Sequence, residues 1–263
     1  MTEHSVSANG IRHHLRIDGP THRLSQTVVF AHALGTDLTV WDAVIPLLPD
    51  HLRLIRYDLR GHGQTEVPPA PYAMGALVRD AEALCDALEV RDAVFVGLSL
   101  GGMVAQGLAV KRLDIIRALA LSNTAARIGT PAQWQARAGA VRAGGMAAVA
   151  DSVIARWFPR GGALADLWRA RLLASPAEGY AGCAEAIAGT DLYTPTAGLR
   201  LPLLGIAGAD DAATPADLVR ETTDLVPGSR FAVIRRAGHL TPVAQPAAWA
   251  ATLLRFLEEI GHA

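Results

Sequence analysis

Short apolar runs recur along the chain at 27–31, 52–57, 93–98, 118–121, 203–207 and 231–234. They are unbroken or nearly so, the pattern of strands covered on both faces. Between them the apolar spacing changes to that of a helix. Leu77, Ala81, Leu84 and Leu88 form one stripe over 76–88, and the segments after Ser99 and at 215–226 read the same way. Alternating strands and helices predict an α/β fold: a mostly parallel central sheet flanked by helices and built with right-handed crossovers. Upstream, 5–8 and 11–17 flank Asn9-Gly10, a pair that favours a type I′ turn and predicts a hairpin.

The rhythm breaks at 124–196, where Ala- and Arg-rich helical patterns run on without a convincing strand, and resumes at Leu203. The organisation expected is therefore a core of 1–123 and 197–263 with a helical cap inserted at 124–196. Trp134, Trp157 and Trp168 fall inside the insertion. They are expected to form its own small core, with at least one at the wall of a pocket beneath it.

Composition narrows the function classes. The 263 residues suffice for one large core. With 51% of them apolar and 19% charged, disorder is excluded. The 24 basic and 25 acidic residues leave no basic footprint for nucleic acid and no polybasic membrane patch. Residues 93–110 carry no charge over 18 positions, the lower limit for a membrane span. Their four glycines and β-branched first half fit a buried strand turning into a buried helix better. The polar N-terminus lacks the apolar stretch of a signal peptide. Cys85 and Cys183, 98 positions apart, form no disulfide framework and no zinc knuckle. A cytoplasmic protein with no membrane or nucleic-acid partner is expected.

The chemistry concentrates at Gly97-Leu98-Ser99-Leu100-Gly101, between an apolar strand and a helix-like stretch. A sharp strand-to-helix turn of this form holds a serine in a strained backbone conformation with its oxygen exposed, and the residues two before and two after must be tiny. Such a nucleophile needs a carboxylate and then a histidine further along the chain. Of nine histidines, His4, His13, His14 and His22 precede the core and His262 lies in the tail; His51 opens a strand and His62 sits in the 58–63 turn, and both are expected to be solvated or structural. His239, directly after the last strand, is the candidate base. For the carboxylate, Asp210 and Asp211 both follow the strand at 203–207; Asp211 is favoured by its place before a helix start, with Asp210 left as a solvated loop residue. The oxyanion hole expected from this layout uses the backbone amides of Leu100, just after the nucleophile, and Leu34, in a loop braced by His32. The 58–63 turn lacks the Lys-Ser/Thr of a phosphate cradle, no cluster has metal-ligand spacing, and no cofactor is required.

These residues together resemble the α/β-hydrolase superfamily over essentially the whole chain. The chain is similar, within it, to the 3-oxoadipate enol-lactonases. That resemblance rests on Leu34-Gly35-Thr36-Asp37 with Trp41-Asp42, on Arg56-Tyr57-Asp58 leading into Arg60-Gly61-His62-Gly63, on the elbow, and on the insertion segments 123–131, 142–146, 155–158 and 175–180. It departs from the family at His32-Ala33 and at 110–113. The resemblance implies the α/β-hydrolase fold, and a serine hydrolase that opens 3-oxoadipate enol-lactone to 3-oxoadipate through an acyl-enzyme, a step of aromatic catabolism in the β-ketoadipate pathway. The substrate it implies is a small anionic lactone. Its carboxylate needs a cation from the cap side, for which Arg127, Arg137, Arg142 and Arg156 are candidates, with Trp134 as a pocket wall. Carboxylesterase, other lactonase and cofactor-free perhydrolase activities share the same layout, and a non-catalytic ligand-binding receptor is the reading from another class.

Overall fold

A computed structural model describes residues 2–263. The apolar runs become one eight-stranded sheet: β1 (Thr2–Ala8), β2 (Ile11–Asp18), β3 (Thr27–Ala31), β4 (Arg53–Tyr57), β5 (Ala93–Leu98), β6 (Ile116–Ser122), β7 (Leu203–Gly208) and β8 (Arg230–Ile234). The spatial order is β1-β2-β4-β3-β5-β6-β7-β8. Strands β3 to β8 run parallel, and at one edge β2 pairs antiparallel with both β1 and β4. Met1, the first residue of the core expected at 1–123, lies outside the described residues.

Local chemistry explains the boundaries. Asn9 and Gly10 take φ of 48° and 78°, the two left-handed positions of a type I′ turn. β4 begins at Arg53, one residue later than its apolar run: the Leu52 N–H closes a turn on Pro49 O, and the Arg53 N–H is the first to reach across, to Gln26 O at 2.9 Å. β3 to β7 are buried on both faces, except for one half-buried position in β6. β8 departs from the expected pattern. It ends the sheet, so only one flank is paired, and Val233 is 45% exposed.

The crossover helices of the core are α1 (Met74–Ala87), α2 (Leu100–Lys111) and α8 (Ala216–Asp224), and α9 (Thr241–Ala244) and α10 (Pro246–Glu259) follow the last strand. The uncharged stretch 93–110 is thus β5 followed by α2, and no helix among the described residues is long and apolar enough to cross a membrane. Between β6 and β7 come α3 (Pro131–Gly144), α4 (Ala147–Trp157), α5 (Ala163–Ala174), α6 (Ala177–Ala188) and α7 (Tyr193–Ala197). α3 starts with a capping box: Gln133 N–H donates to Thr130 Oγ1, the Gln133 side chain accepts from Thr130 N–H, and Pro131 fills the first helical position. Trp157 and Trp168 pack edge to face, centroids 6.3 Å apart, as the buried centre of these helices. In the main core, Trp41 lies between Phe30 and Trp249, at 5.1 and 5.3 Å.

Candidate active site

Ser99 stands between β5 and α2 with φ 54° and ψ −113°. Left-handed backbone costs a non-glycine residue roughly 1–2 kcal/mol, so the turn must be held from outside. Two close approaches hold it. A Cβ on Gly97 would lie 2.4 Å from Gly101 O, and one on Gly101 would lie 2.2 Å from Ala31 O. Any side chain at either position would force the turn open. Thr124 Oγ1 adds a hydrogen bond to Ser99 O at 2.6 Å.

Asp211 and His239, 28 positions apart, are joined by a bond from His239 Nδ1 to Asp211 Oδ2 at 2.8 Å. Both are buried. Asp211 Oδ2 also accepts from Asn123 Nδ2 at 2.9 Å and Thr214 Oγ1 at 2.7 Å, while Oδ1 accepts the N–H groups of Ala213 and Thr214. Burial alone would raise this carboxyl; the His239 ring and the donated hydrogen bonds outweigh it and hold the group down at about 2. With Asp211 ionised, Nδ1 carries the ring proton and Nε2 is left as a base. Asn123 and Thr214 were not foreseen from the sequence. The signal available was the polar run Ser122-Asn123-Thr124, all buried, at the end of an apolar strand. Asp210 is an ion-paired residue and not merely a solvated one: Arg160 reaches its Oδ2 at 2.9 Å.

Ser99 and His239 open into one cavity of about 530 Å³. No hydrogen bond joins them directly among the described residues; such bonds commonly tighten only with substrate in place. Leu34 lines the same cavity. The amides beside the two expected oxyanion donors are already committed: Gly35 N–H to His62 Nε2 at 3.0 Å, and Gly101 N–H to His32 O at 3.1 Å. The N–H groups of Leu34 and Leu100 make no hydrogen bond among the described residues. Two preorganised donors near a nucleophile can take up the charge of a tetrahedral intermediate.

Of the remaining histidines, His13, His14, His32, His62 and His262 are buried and His4, His22 and His51 are exposed. His62 is fully buried, not solvated, because its ring is closed in by the loop it bonds. His51 is exposed and sits just ahead of β4. His14 lies within the sheet, bonded to Asp58 Oδ2 at 2.7 Å and Glu3 Oε1 at 2.8 Å. Arg60 pairs with Asp80 of α1 through two bonds, at 2.6 and 2.7 Å, instead of within its own turn. Among the described residues no group of three or more His, Cys, Asp or Glu is placed to hold a metal ion.

The four candidate arginines divide. Arg137 and Arg156 line the cavity with Trp134 and Trp157. Arg127 and Arg142 do not: Arg127 faces Asp191 at 3.6 Å, and Arg142 is spent on Glu178 and Glu185 at 3.3 and 2.5 Å, all on exposed surface. The Arg137 guanidinium lies 4.8 Å above the Trp134 ring, which is fixed by its own bond to Ile128 O. Neither Arg137 nor Arg156 has an ion-pair partner among the described residues. Burial, and then the like charge of Arg137, lower the Arg156 pKa. A cavity with two such cations favours an anion.

Comparison with known proteins places the chain in a family. Residues 26–144 match the family model of the alpha/beta hydrolase fold. The chain is 35% identical to 3-oxoadipate enol-lactonase 2 of Acinetobacter baylyi, over 84% of this chain and 85% of that one. The solved enol-lactonase of Burkholderia xenovorans LB400 superposes with a TM-score of 0.92 at 37% identity, covering 97% of this chain and 99% of its own. A thermophilic esterase from Thermogutta terrifontis, in a malate-bound structure, gives a TM-score of 0.91 at 28% identity over 100% of both chains.

Proposed function

The chain belongs to the α/β-hydrolase fold family and is a carboxylic ester hydrolase, and from that premise we propose that it opens the ring of 3-oxoadipate enol-lactone with Ser99, His239 and Asp211 as its triad. In this reading Ser99 Oγ attacks the lactone carbonyl while His239 Nε2 takes its proton. Asp211 holds the ring tautomer and stabilises the imidazolium. The oxyanion rests on the amides of Leu34 and Leu100. Collapse breaks the ring C–O bond, and His239 returns the proton to the departing enol oxygen, which stays tethered to the acyl chain and tautomerises to the ketone. Water, deprotonated by His239, then attacks the acyl-enzyme and releases 3-oxoadipate. The helices at 124–196 act as a cap that shapes the pocket.

One observation carries the substrate reading. A single cavity gathers Ser99, His239 and Leu34 with two arginines that have no carboxylate of their own. Two cations without a carboxylate partner fit a lactone bearing a free acetate. The similarity to named enol-lactonases supports the same choice. A carboxylesterase is the second reading, supported by the likeness to the Thermogutta terrifontis esterase.

The experiment follows the ultraviolet absorbance of 3-oxoadipate enol-lactone with purified protein, with Ser99→Ala as blank and p-nitrophenyl acetate as second substrate. A kcat/KM for the lactone several decades above that for the ester is expected. Turnover of the ester alone leaves a carboxylesterase, and turnover by Ser99→Ala removes the nucleophile.

A further inference from the structure

The Leu34 amide sits in a loop, residues 32–38, that is stitched to the 58–63 turn by three side-chain bonds. Leu38 N–H donates to Asp58 Oδ1 at 2.7 Å, Leu59 N–H to His32 Nε2 at 2.9 Å, and Gly35 N–H to His62 Nε2 at 3.0 Å. The third bears directly on Leu34. A peptide unit is planar, so this bond fixes the Leu34–Gly35 peptide, the unit that follows the Leu34 amide, while the Ala33–Leu34 peptide that carries the Leu34 N–H is held at its other end, where Ala33 O accepts from Thr36 Oγ1 and His32 Nδ1, each at 2.8 Å. From the other side, Gly35 at φ 78° is pressed by the helical insertion: a Cβ there would lie 2.7 Å from Leu172 Cδ1 and 2.9 Å from Tyr180 Cε2. The loop is thus held between His62 and those two side chains. Gly35 N–H is taken up by the bond with His62, whereas Leu34 N–H has no partner among the described residues and Leu34 lines the cavity it shares with Ser99.

The surroundings of His62 define its chemistry. Its Nδ1 lies 3.1 Å from Arg60 O and therefore carries the ring proton, which makes Nε2 the acceptor. Cys183 Sγ, on α6, closes the same edge at 3.6 Å from Arg60 O. The ring is fully buried with the His32 ring 5.3 Å away. Burial first, and that neighbour second, drive its pKa down to about 4, so the ring is a neutral acceptor near neutral pH.

We propose that His62 is a positioning residue for the oxyanion hole, its Nε2 orienting the Gly35 amide so that the Leu34 amide faces the tetrahedral intermediate. This rests on the reading above, in which Ser99 attacks and Leu34 N–H receives the oxyanion. A simple brace of the fold would affect stability and all binding alike. A positioning role acts on the transition state alone.

The test compares His62→Phe, which keeps the ring and loses the acceptor, with His62→Gln, which keeps an acceptor near Nε2. The readouts are kcat and KM for p-nitrophenyl acetate and inhibition by a trifluoromethyl ketone, which adds to the serine as a tetrahedral oxyanion. Loss of one oxyanion donor typically costs about 100- to 1,000-fold in kcat, and a misdirected donor about 30-fold or more. The expected result is that fall for His62→Phe with KM within twofold, a parallel weakening of the ketone, and recovery of most of kcat in His62→Gln. Unchanged kcat, a rise in KM alone, unchanged ketone inhibition, or equal damage in both variants overturns the proposal. Should His62→Phe not fold, His62→Ala with and without added imidazole reads the same quantity: rescue of kcat supports the role and no rescue overturns it. Ser99→Ala separates the two levels. If it still hydrolyses the ester, the serine reading itself falls; if it is inactive while His62→Phe is unimpaired, only the role of His62 is lost.

Discussion

The backbone N–H of His239 donates to the carbonyl of Arg156 at 3.1 Å. The proposed base is therefore anchored at its side chain by the core, through Asp211, and at its backbone by α4 of the helical insertion. Arg156 also presents its side chain to the cavity. The residue that would bind the substrate's carboxylate and the residue that holds the base in place are one and the same, through different atoms.

Gly238 makes this anchoring possible. A Cβ on it would lie 2.5 Å from Pro159 Cδ and 2.6 Å from Trp157 O. Backbone cannot yield as a flexible side-chain end can, so Gly238→Ala must push the histidine loop off α4. Overpacking of this kind costs about 1–3 kcal/mol. We expect a lower Tm and a fall in kcat of at least about tenfold, since displacement of about 1 Å is costly at a catalytic group. Unchanged kcat in a folded Gly238→Ala protein contradicts the anchoring.

The adjacent aspartates should differ sharply. Asp211 accepts five hydrogen bonds in a buried site, whereas Asp210 faces Arg160 at the surface. Asp211→Asn would favour the wrong tautomer of His239, and a loss of about four decades in kcat is expected. Asp210→Asn removes one exposed ion pair, worth about 0–1 kcal/mol, and should leave kcat within a few-fold. Steady-state kinetics of the two variants give the ranking, and the reverse order moves the carboxylate.

What the sequence disclosed follows from range. The strands and the elbow are written in local patterns: the apolar runs, and Gly97 and Gly101 flanking Ser99. Even the partition of Asp210 and Asp211 is read from a strand end and a helix start. The support of the site is not local. Asn123 reaches Asp211 across 88 positions, and Gly35 meets His62 across 27; no periodicity announces such pairs. Arginines show the same limit. All four candidates lie on loops or helices between β6 and β7, and only packing decides that Arg142 spends its charge on Glu178 and Glu185 while Arg156 keeps its own for the cavity.

Acid should destabilise the protein partly through His62. Its pKa falls from 6.5 to about 4 because the buried ring resists protonation. Between these values the unfolded chain takes up a proton that the folded one refuses, so stability is lost as pH falls from about 6.5 towards 4 and this contribution levels off below. The shift corresponds to about 3 kcal/mol. Chemical denaturation of wild type and His62→Gln at pH 7 and pH 4 isolates this term, because the other titrating groups are common to both. Wild type should lose about 3 kcal/mol more than the variant; parallel losses would mean that His62 is protonated within the fold.

Charge selectivity tests the cavity most directly. Arg137→Met and Arg156→Met keep the length and apolar stem of each side chain and delete the cation, leaving the Arg156 carbonyl on His239 untouched. A hydrogen bond to a charged group contributes about 1.5–3 kcal/mol, so each change should lower kcat/KM for 3-oxoadipate enol-lactone by roughly 10- to 150-fold. The neutral p-nitrophenyl acetate carries no carboxylate and should lose at most a few-fold. Arg142→Ala, which removes only exposed ion pairs with Glu178 and Glu185, should leave both substrates unaffected. If Arg137→Met and Arg156→Met depress the two substrates equally, the arginines serve the shape of the pocket and not its charge. The anionic lactone then loses its main structural support, and the carboxylesterase reading takes its place.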